Sequence, residues 1–364
     1  MPTRPLRCVV LSLKTTGPAP SSHALEARGG FTWWYTEILD PAHERALVVI
    51  WSFGLPFLPG YASRERAGNA PPARSLPSVN VVGYERGREV LYLLHQFDET
   101  RAHVDEHTVV LGESTFVLDP KNGTMRASID LPVPGSTDRL RGEIVVDGQA
   151  VTMPIDHAAD IAHVWCPVLL PAQGRAALVS GRTTFTVAGH AYVDHNEGDR
   201  ALHRLGIAHW LWGHAPTANG GERIFYLLTP DSDKVPEAHA FSVDASGVFR
   251  IERDVRIDIT RSHAPRFGMP GLARANVTVE ARPFLDLHMQ ALVDDGPFYL
   301  RYLARTDGAE PGTTEVIAPA RIDTDLLRPL VRMRVSSETT RPSVFLPLFS
   351  GPRMGRLRRL MRLP

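Results

Sequence analysis

The chain has 364 residues, more than one hydrophobic core ordinarily serves, so two domains are expected. Its 40 Lys and Arg balance 40 Asp and Glu, which excludes a general nucleic-acid binder, since neutralising phosphates needs a basic surplus. Cys8 and Cys166 are too few for a disulfide scaffold or a thiolate zinc site, so a reduced, cytoplasmic setting is the expectation.

Residues 1–28 read as an N-terminal arm, with Pro18, Pro20, Ser21 and Ser22 marking irregular chain. Its apolar run, Cys8 to Leu13, is too short for a signal-peptide core, and no stretch approaches the length of a membrane span. Order begins at Gly29-Gly30-Phe31-Thr32-Trp33-Trp34-Tyr35, where adjacent aromatics in a strand must point to alternate faces, at least one of them covered. The β-branched run Ala46 to Phe53 ends at Gly54, Pro56, Pro59 and Gly60, and residues 54–77 form a long loop suited to cover a cavity mouth. Hairpin signals follow. Val79 to Tyr84 and Glu89 to His95 flank Arg86-Gly87, and Phe116 to Leu118 and Thr124 to Leu131 flank Lys121-Asn122-Gly123. Glu143 to Val146 and Gln149 to Met153 flank Asp147-Gly148, a dipeptide that tolerates positive φ and predicts a two-residue turn. Further strands are expected at Ile207 to Trp212, Glu222 to Leu228, Val248 to Ile259, Asn276 to Ala281, Phe284 to Val293 and Pro297 to Ala304.

The fold class is therefore all-β, and two closed or nearly closed antiparallel barrels, 29–200 and 201–340, account for the pattern. Residues 341–364 differ: Arg353, Arg356, Arg358, Arg359 and Arg362 alternate with Met354, Leu357, Leu360 and Met361. Such a basic amphipathic tail can lie on an anionic membrane surface, which adds peripheral contact with the inner face of the membrane to the expected setting.

The chemistry centres on Gly189-His190-Ala191-Tyr192-Val193-Asp194-His195-Asn196-Glu197-Gly198-Asp199. Period-two alternation puts Tyr192 and Asp194 on one face, with a turn expected at Asn196-Glu197-Gly198. His163 and Trp165 share a face in the same way. Burial among apolar groups raises a carboxyl pKa by up to roughly 3–5 units, so Asp194 can stay protonated near neutral pH and protonate an alkene, with aromatic faces holding the cation. The bland reading ties a strand end by hydrogen bonds. His190, His195, His203, His209 and His214 lie close in sequence, but their spacings match no standard metal site, and no metal is expected. A Gly-rich phosphate loop, a G-x-S-x-G elbow and H-E-x-x-H are all missing, so no cofactor is expected.

Four pieces in order resemble carotenoid 1,2-hydratase (hydroxyneurosporene synthase) and its lipocalin-like relatives. They are Gly29 to Tyr35, His163-Val164-Trp165, Gly189 to Asp199, and Asp294-Asp295-Gly296-Pro297-Phe298-Tyr299. The resemblance runs from about 29 to 335 and implies tandem lipocalin-like β-barrels, no cofactor and a long apolar isoprenoid or polyene substrate. It also implies catalytic roles for His163, Trp165, Tyr192 and Asp194, with Asp194 as proton donor. Trp33, Trp34, Tyr35, His195, Asn196, Trp210 and Trp212 are the expected substrate-binding residues. Asp194 to Gly198 and Trp210-Leu211-Trp212-Gly213-His214 look equally like a branch of natural-product cyclases, Diels–Alder catalysts among them. That branch has an aromatic where this chain has Glu197. A cyclase that folds its polyene is thus the alternative, and a non-catalytic lipid-binding protein the third.

Overall fold

The computed structural model describes residues 12–13, 19–58, 60–152, 163–231, 235–262, 265, 267–322, 324, 326, 334–338 and 350–352. The first sheet is built from β1 (Ser12–Leu13), β2 (Phe31–Asp40), β3 (Arg45–Phe53), β4 (Pro77–Glu85), β5 (Arg88–Gln96), β6 (Ala102–Val104), β7 (Thr108–Leu111), β8 (Ser114–Asp119), β9 (Thr124–Pro132), β10 (Arg139–Ala150), β11 (Val164–Ser180) and β12 (Thr183–Gly198). The second holds β13 (Ile207–Pro216), β14 (Glu222–Pro230), β15 (Glu237–Val243), β16 (Phe249–Ile251), β17 (Val255–Arg261), β18 (Leu272–Val279), β19 (Arg282–Asp295), β20 (Tyr299–Thr306) and β21 (Pro311–Ile317). Two late strands, β22 (Val335–Ser337) and β23 (Gly351–Pro352), return to pair with β5.

The first sheet runs β22-β5-β4-β3-β2-β12-β11-β10-β9-β8-β7-β6, and the second β16-β15-β14-β13-β21-β20-β19-β18-β17. Almost every neighbour is antiparallel, as short hairpin connections require. Each sheet curls into a half-barrel around its own apolar core. Trp34, Trp51, Phe116 and Ile144 fill the first, and Leu211, Phe225, Leu287 and Tyr302 the second. A third cluster, with Trp33, Tyr35, Trp165, Tyr192, Trp212 and Tyr226, lies where the outer face of one curl meets the other. Strand β2 is buried on both faces for this reason: Trp34 and Ile38 point into the first core, Trp33 and Tyr35 into the shared layer.

Four expectations need correction. Asp147-Gly148 is not a turn, because β10 runs straight through it between β9 and β11, with a bulge after Gly148. Glycine serves close approach there: the Gly148 N–H donates to the Gly123 carbonyl, and a Cβ would lie 2.5 Å from Ala172 Cβ. Gly148→Val should therefore lower stability by roughly 1–3 kcal/mol through overpacking, read as a shift in urea midpoint, while Asp147→Asn beside it leaves the midpoint nearly unchanged. Asn196-Glu197-Gly198 is likewise strand, paired with Trp33, Thr32 and Phe31 on β2. Val248 to Ile259 breaks into β16 and β17 around Asp254, whose φ is 50°.

The fourth correction concerns the arm. It contains a one-turn helix, α1 (Ser22–Glu26), whose first turn is capped by the Ser21 hydroxyl accepting from the Ala24 N–H. The Ser21 N–H in turn donates to the Glu197 carboxylate at 2.7 Å, which anchors α1 to β12. Within the loop at 54–77 the chain forms a second helix, α2 (Tyr61–Arg66). Residues 1–11, 341–349 and 353–364, which hold the start of the arm and nearly all of the basic tail, lie outside the described residues.

Candidate active site

Period two fixes which side chains meet between the sheets. Trp33, Tyr35 and Glu37 come from β2, His190, Tyr192, Asp194 and Asn196 from β12, Trp210, Trp212 and His214 from β13, and Glu222 and Tyr226 from β14. Register brings them level: Asp194 faces Tyr35 and Asn196 faces Trp33 across one strand pair, while Trp212 faces Tyr226 across another. Here lies a cavity of about 170 Å³, lined by Trp33, Tyr35, Val82, Asp194, Trp212 and Tyr226 among others. This ligand space sits between the two curls, lined by residues of both sheets. Leu55, Pro56 and Phe57, from the start of the 54–77 loop, line its wall, and the Phe57 ring stacks parallel to Phe298 across it.

Asp194 is 3% exposed, and burial lifts its carboxyl to about 7, against the opposing hydrogen bonds of Trp165 and Tyr192. Oδ2 accepts from Trp165 Nε1 at 2.8 Å and from the Tyr192 hydroxyl at 3.0 Å; Oδ1 accepts from Asn196 Nδ2 at 2.8 Å. Both lone pairs of Oδ2 are thereby used and one on Oδ1 is left, so the acid proton belongs on Oδ1. Asn196 is oriented in turn by His163, whose Nε2 donates to Asn196 Oδ1 at 3.1 Å. Burial drops the His163 imidazole to about 4, so it is neutral and holds its proton on Nε2. Around this acid stand aromatic faces. Trp212 packs against Tyr35 and Tyr192 with ring centres 5.7 and 5.3 Å apart, and Trp165 packs against Tyr226 at 5.3 Å.

One wall of the cavity is charged. The Arg301 guanidinium is buried, donates to the Tyr35 hydroxyl at 2.7 Å and to Tyr299 at 2.6 Å, and pairs with Glu315 at 2.7 Å and Glu37 at 3.3 Å. Burial alone would favour its neutral form, but the surrounding acids and phenols hold it protonated. Glu315 sits above the ordinary carboxylate range because burial outweighs its pairing with Arg301. Burial also works against charge on Glu37, yet hydrogen bonding to His214 and the charge of Arg301 keep it below that range. His214 is clamped between Glu37 Oε2, 2.9 Å from Nε2, and Glu222 Oε1, 2.7 Å from Nδ1; despite burial these acids raise it to about 9.

The structure brings Asp194, Tyr192, Trp165 and His163 into one hydrogen-bonded group, and it places Trp33, Tyr35, Asn196, Trp210 and Trp212 on the cavity wall. His163 reaches the acid only through Asn196 and packs on Trp210 at 4.3 Å. Trp34 and His195 are corrections. Each is one residue out of phase with the wall, so Trp34 packs with Phe53 and Phe116 in the first core, and His195 lies on Trp34 and bonds the Thr32 hydroxyl. Arg301, Glu315, Glu37 and Tyr226 escaped sequence reasoning. The signal for Glu37 was its place two residues beyond Tyr35; Arg301 stands two beyond Tyr299 of the fourth family-like piece.

The profile of the family described as Carotenoid hydratase CrtC matches residues 49–343. A protein of Chlorobaculum tepidum named hydroxyneurosporene dehydrogenase is 23% identical over 356 residues, covering 89% of this chain and 92% of the relative. The acyclic carotenoid 1,2-hydratase of Rubrivivax gelatinosus is 27% identical over 303 residues, covering 76% of this chain and 65% of its own length. Two crystal structures share the lipocalin-like fold. A Nitrosomonas europaea protein designated AttH has TM-score 0.55 at 16% identity, with 79% of this chain and 92% of that one covered. CghA bound to Sch210972 has TM-score 0.54 at 12% identity, with 79% and 88% covered.

Proposed function

The chain belongs to the carotenoid hydratase family, and on that premise we propose that it adds water across a carbon–carbon double bond of an acyclic isoprenoid polyene, with Asp194 as the proton donor. The O–H bond at Asp194 Oδ1 breaks as a C–H bond forms at the less substituted alkene carbon, leaving a tertiary cation. Aromatic faces such as Trp212, Tyr35 and Tyr226 hold that cation, each contributing about 0.5–2 kcal/mol. Water adds to the cation, and its surplus proton returns to the Asp194 carboxylate, which closes the cycle without a redox partner. Trp165 and Tyr192 position the carboxyl, and His163 sets the Asn196 amide that touches Oδ1. The observation that carries this reading is a buried carboxyl, lifted to about 7, on the wall of a mostly apolar cavity.

Mass spectrometry of the purified chain with acyclic carotenes tests it. A product one water heavier is expected. A product of unchanged mass favours the cyclase reading, and co-purifying, unaltered lipid favours a binding protein. The pH dependence has a definite sign. The acid must be protonated, so kcat/KM should be flat below neutrality and fall as pH rises through about 7. Trp165→Phe removes a donor that favours the ionised form, so the falling limb should move to higher pH. A limb that stays put, or moves down, contradicts the role given to that indole.

No helix among the described residues is long and apolar enough to cross a membrane.

A further inference from the structure

The fold gives the histidine-rich segment the carboxylate partner that its spacing lacked. His190 on β12 and His214 on β13 converge on Glu222 of β14, with one ligand atom from each within 4.8 Å of the others. All three side chains are buried. His190 Nε2 lies 3.1 Å from Glu222 Oε2, yet neither atom makes a well-formed hydrogen bond among the described residues. Those two atoms face each other at ion-pair distance in the interior, and neither has a hydrogen bond of good geometry there. His214 is held from behind, its Nε2 on the Glu37 carboxylate at 2.9 Å. That carboxylate–histidine arrangement is the outer support that metal-binding imidazoles ordinarily have.

We propose that His190, His214 and Glu222 form a site for a divalent transition ion of the zinc class. Two imidazoles and one carboxylate are a donor set such ions favour, and separations of a few ångströms between donors suit metal–ligand bonds of about 2.0–2.2 Å. The ion would join β12 of the first sheet to β13 and β14 of the second, acting as a clasp between the half-barrels. These three residues do not line the cavity, so the ion would stand behind Tyr192, whose ring lies 4.3 Å from that of His214. The ion would sit beside His214 where Glu37 and Glu222 flank it, with Glu37 left as outer support.

The test is cobalt(II) titration of the full chain after chelator treatment, followed by visible absorption and by thermal unfolding. The expected result is saturation near one equivalent with a d–d band, displacement by zinc and a raised Tm. His190→Ala should abolish stoichiometric uptake. Glu37→Gln should weaken it about 10–100-fold through loss of outer support. His288→Ala, which disrupts the exposed Asp286–His288–Asp307 cluster, should leave it intact. A folded wild-type chain that takes up no stoichiometric cobalt overturns the proposal, as does uptake that survives His190→Ala. The readout is independent of turnover, so it succeeds or fails separately from the hydratase reading.

Discussion

Asp194→Asn should cut hydration by roughly 10²–10⁴-fold, the range a positioned general acid supplies, and leave the fold in place. The substitution keeps shape and removes the transferable proton. Its amide oxygen can still accept from Trp165 Nε1 and the Tyr192 hydroxyl. Its new N–H groups would meet Asn196 Nδ2, a donor, so Asn196 must flip and the neutral His163 must move its proton to Nδ1. Both rearrangements need only a side-chain turn and a tautomer change. Burial lifts the native carboxyl to about 7, so ionising it in place costs on the order of 4 kcal/mol. The variant should therefore unfold no earlier than the native chain at alkaline pH. Near-full turnover by a folded variant would remove Asp194 as the acid.

Arg301→Met should be the most destabilising single change in the shared layer, by roughly 3–5 kcal/mol, because it takes the cation from buried Glu315 and leaves Glu37 with His214 alone. Glu37 and Glu315 would then share the Tyr35 hydroxyl without the guanidinium that bridges them. The sign with pH follows from those acids. Their charge is the penalty, so the deficit should be largest at neutral pH and shrink as acid protonates them. Denaturant unfolding at two pH values checks this, and adding Glu315→Gln should restore part of the loss. Arg305→Ala, at an exposed position four residues on, should change stability by no more than about 0.5 kcal/mol.

Much of the fold could be read from residue patterns. The turns at Arg86-Gly87 and Lys121-Asn122-Gly123 fell where Gly87 and Gly123 take positive φ, and the hairpins around them formed as expected. Asp147-Gly148 carried a similar local signal with the opposite outcome. Only a view of β11 packing against it shows why glycine is needed in mid-strand. For the site, alternation placed Tyr192 with Asp194 and His163 with Trp165, because that rule is local. The same rule, applied to Trp33, Trp34 and Tyr35, demanded that one of the three turn away, and Trp34 does. Arg301 and Glu315 were out of reach because their meaning depends on β20 and β21 crossing to β2, contacts more than 260 residues apart in the chain. For the histidine segment, spacing alone could not reveal that Glu222 packs against His214 at 2.7 Å.

Infrared difference spectroscopy of the carboxyl C=O stretch asks about the acid itself. Between pH 5 and 9 most surface carboxylates are already ionised, so a buried protonated one stands out. A band that titrates with a midpoint near 7, and is missing from Asp194→Asn, is the expected result. A difference between native chain and variant that titrates in the ordinary carboxylate range, or no band lost in the variant, would mean that Asp194 is charged at neutral pH and has no proton to give an alkene.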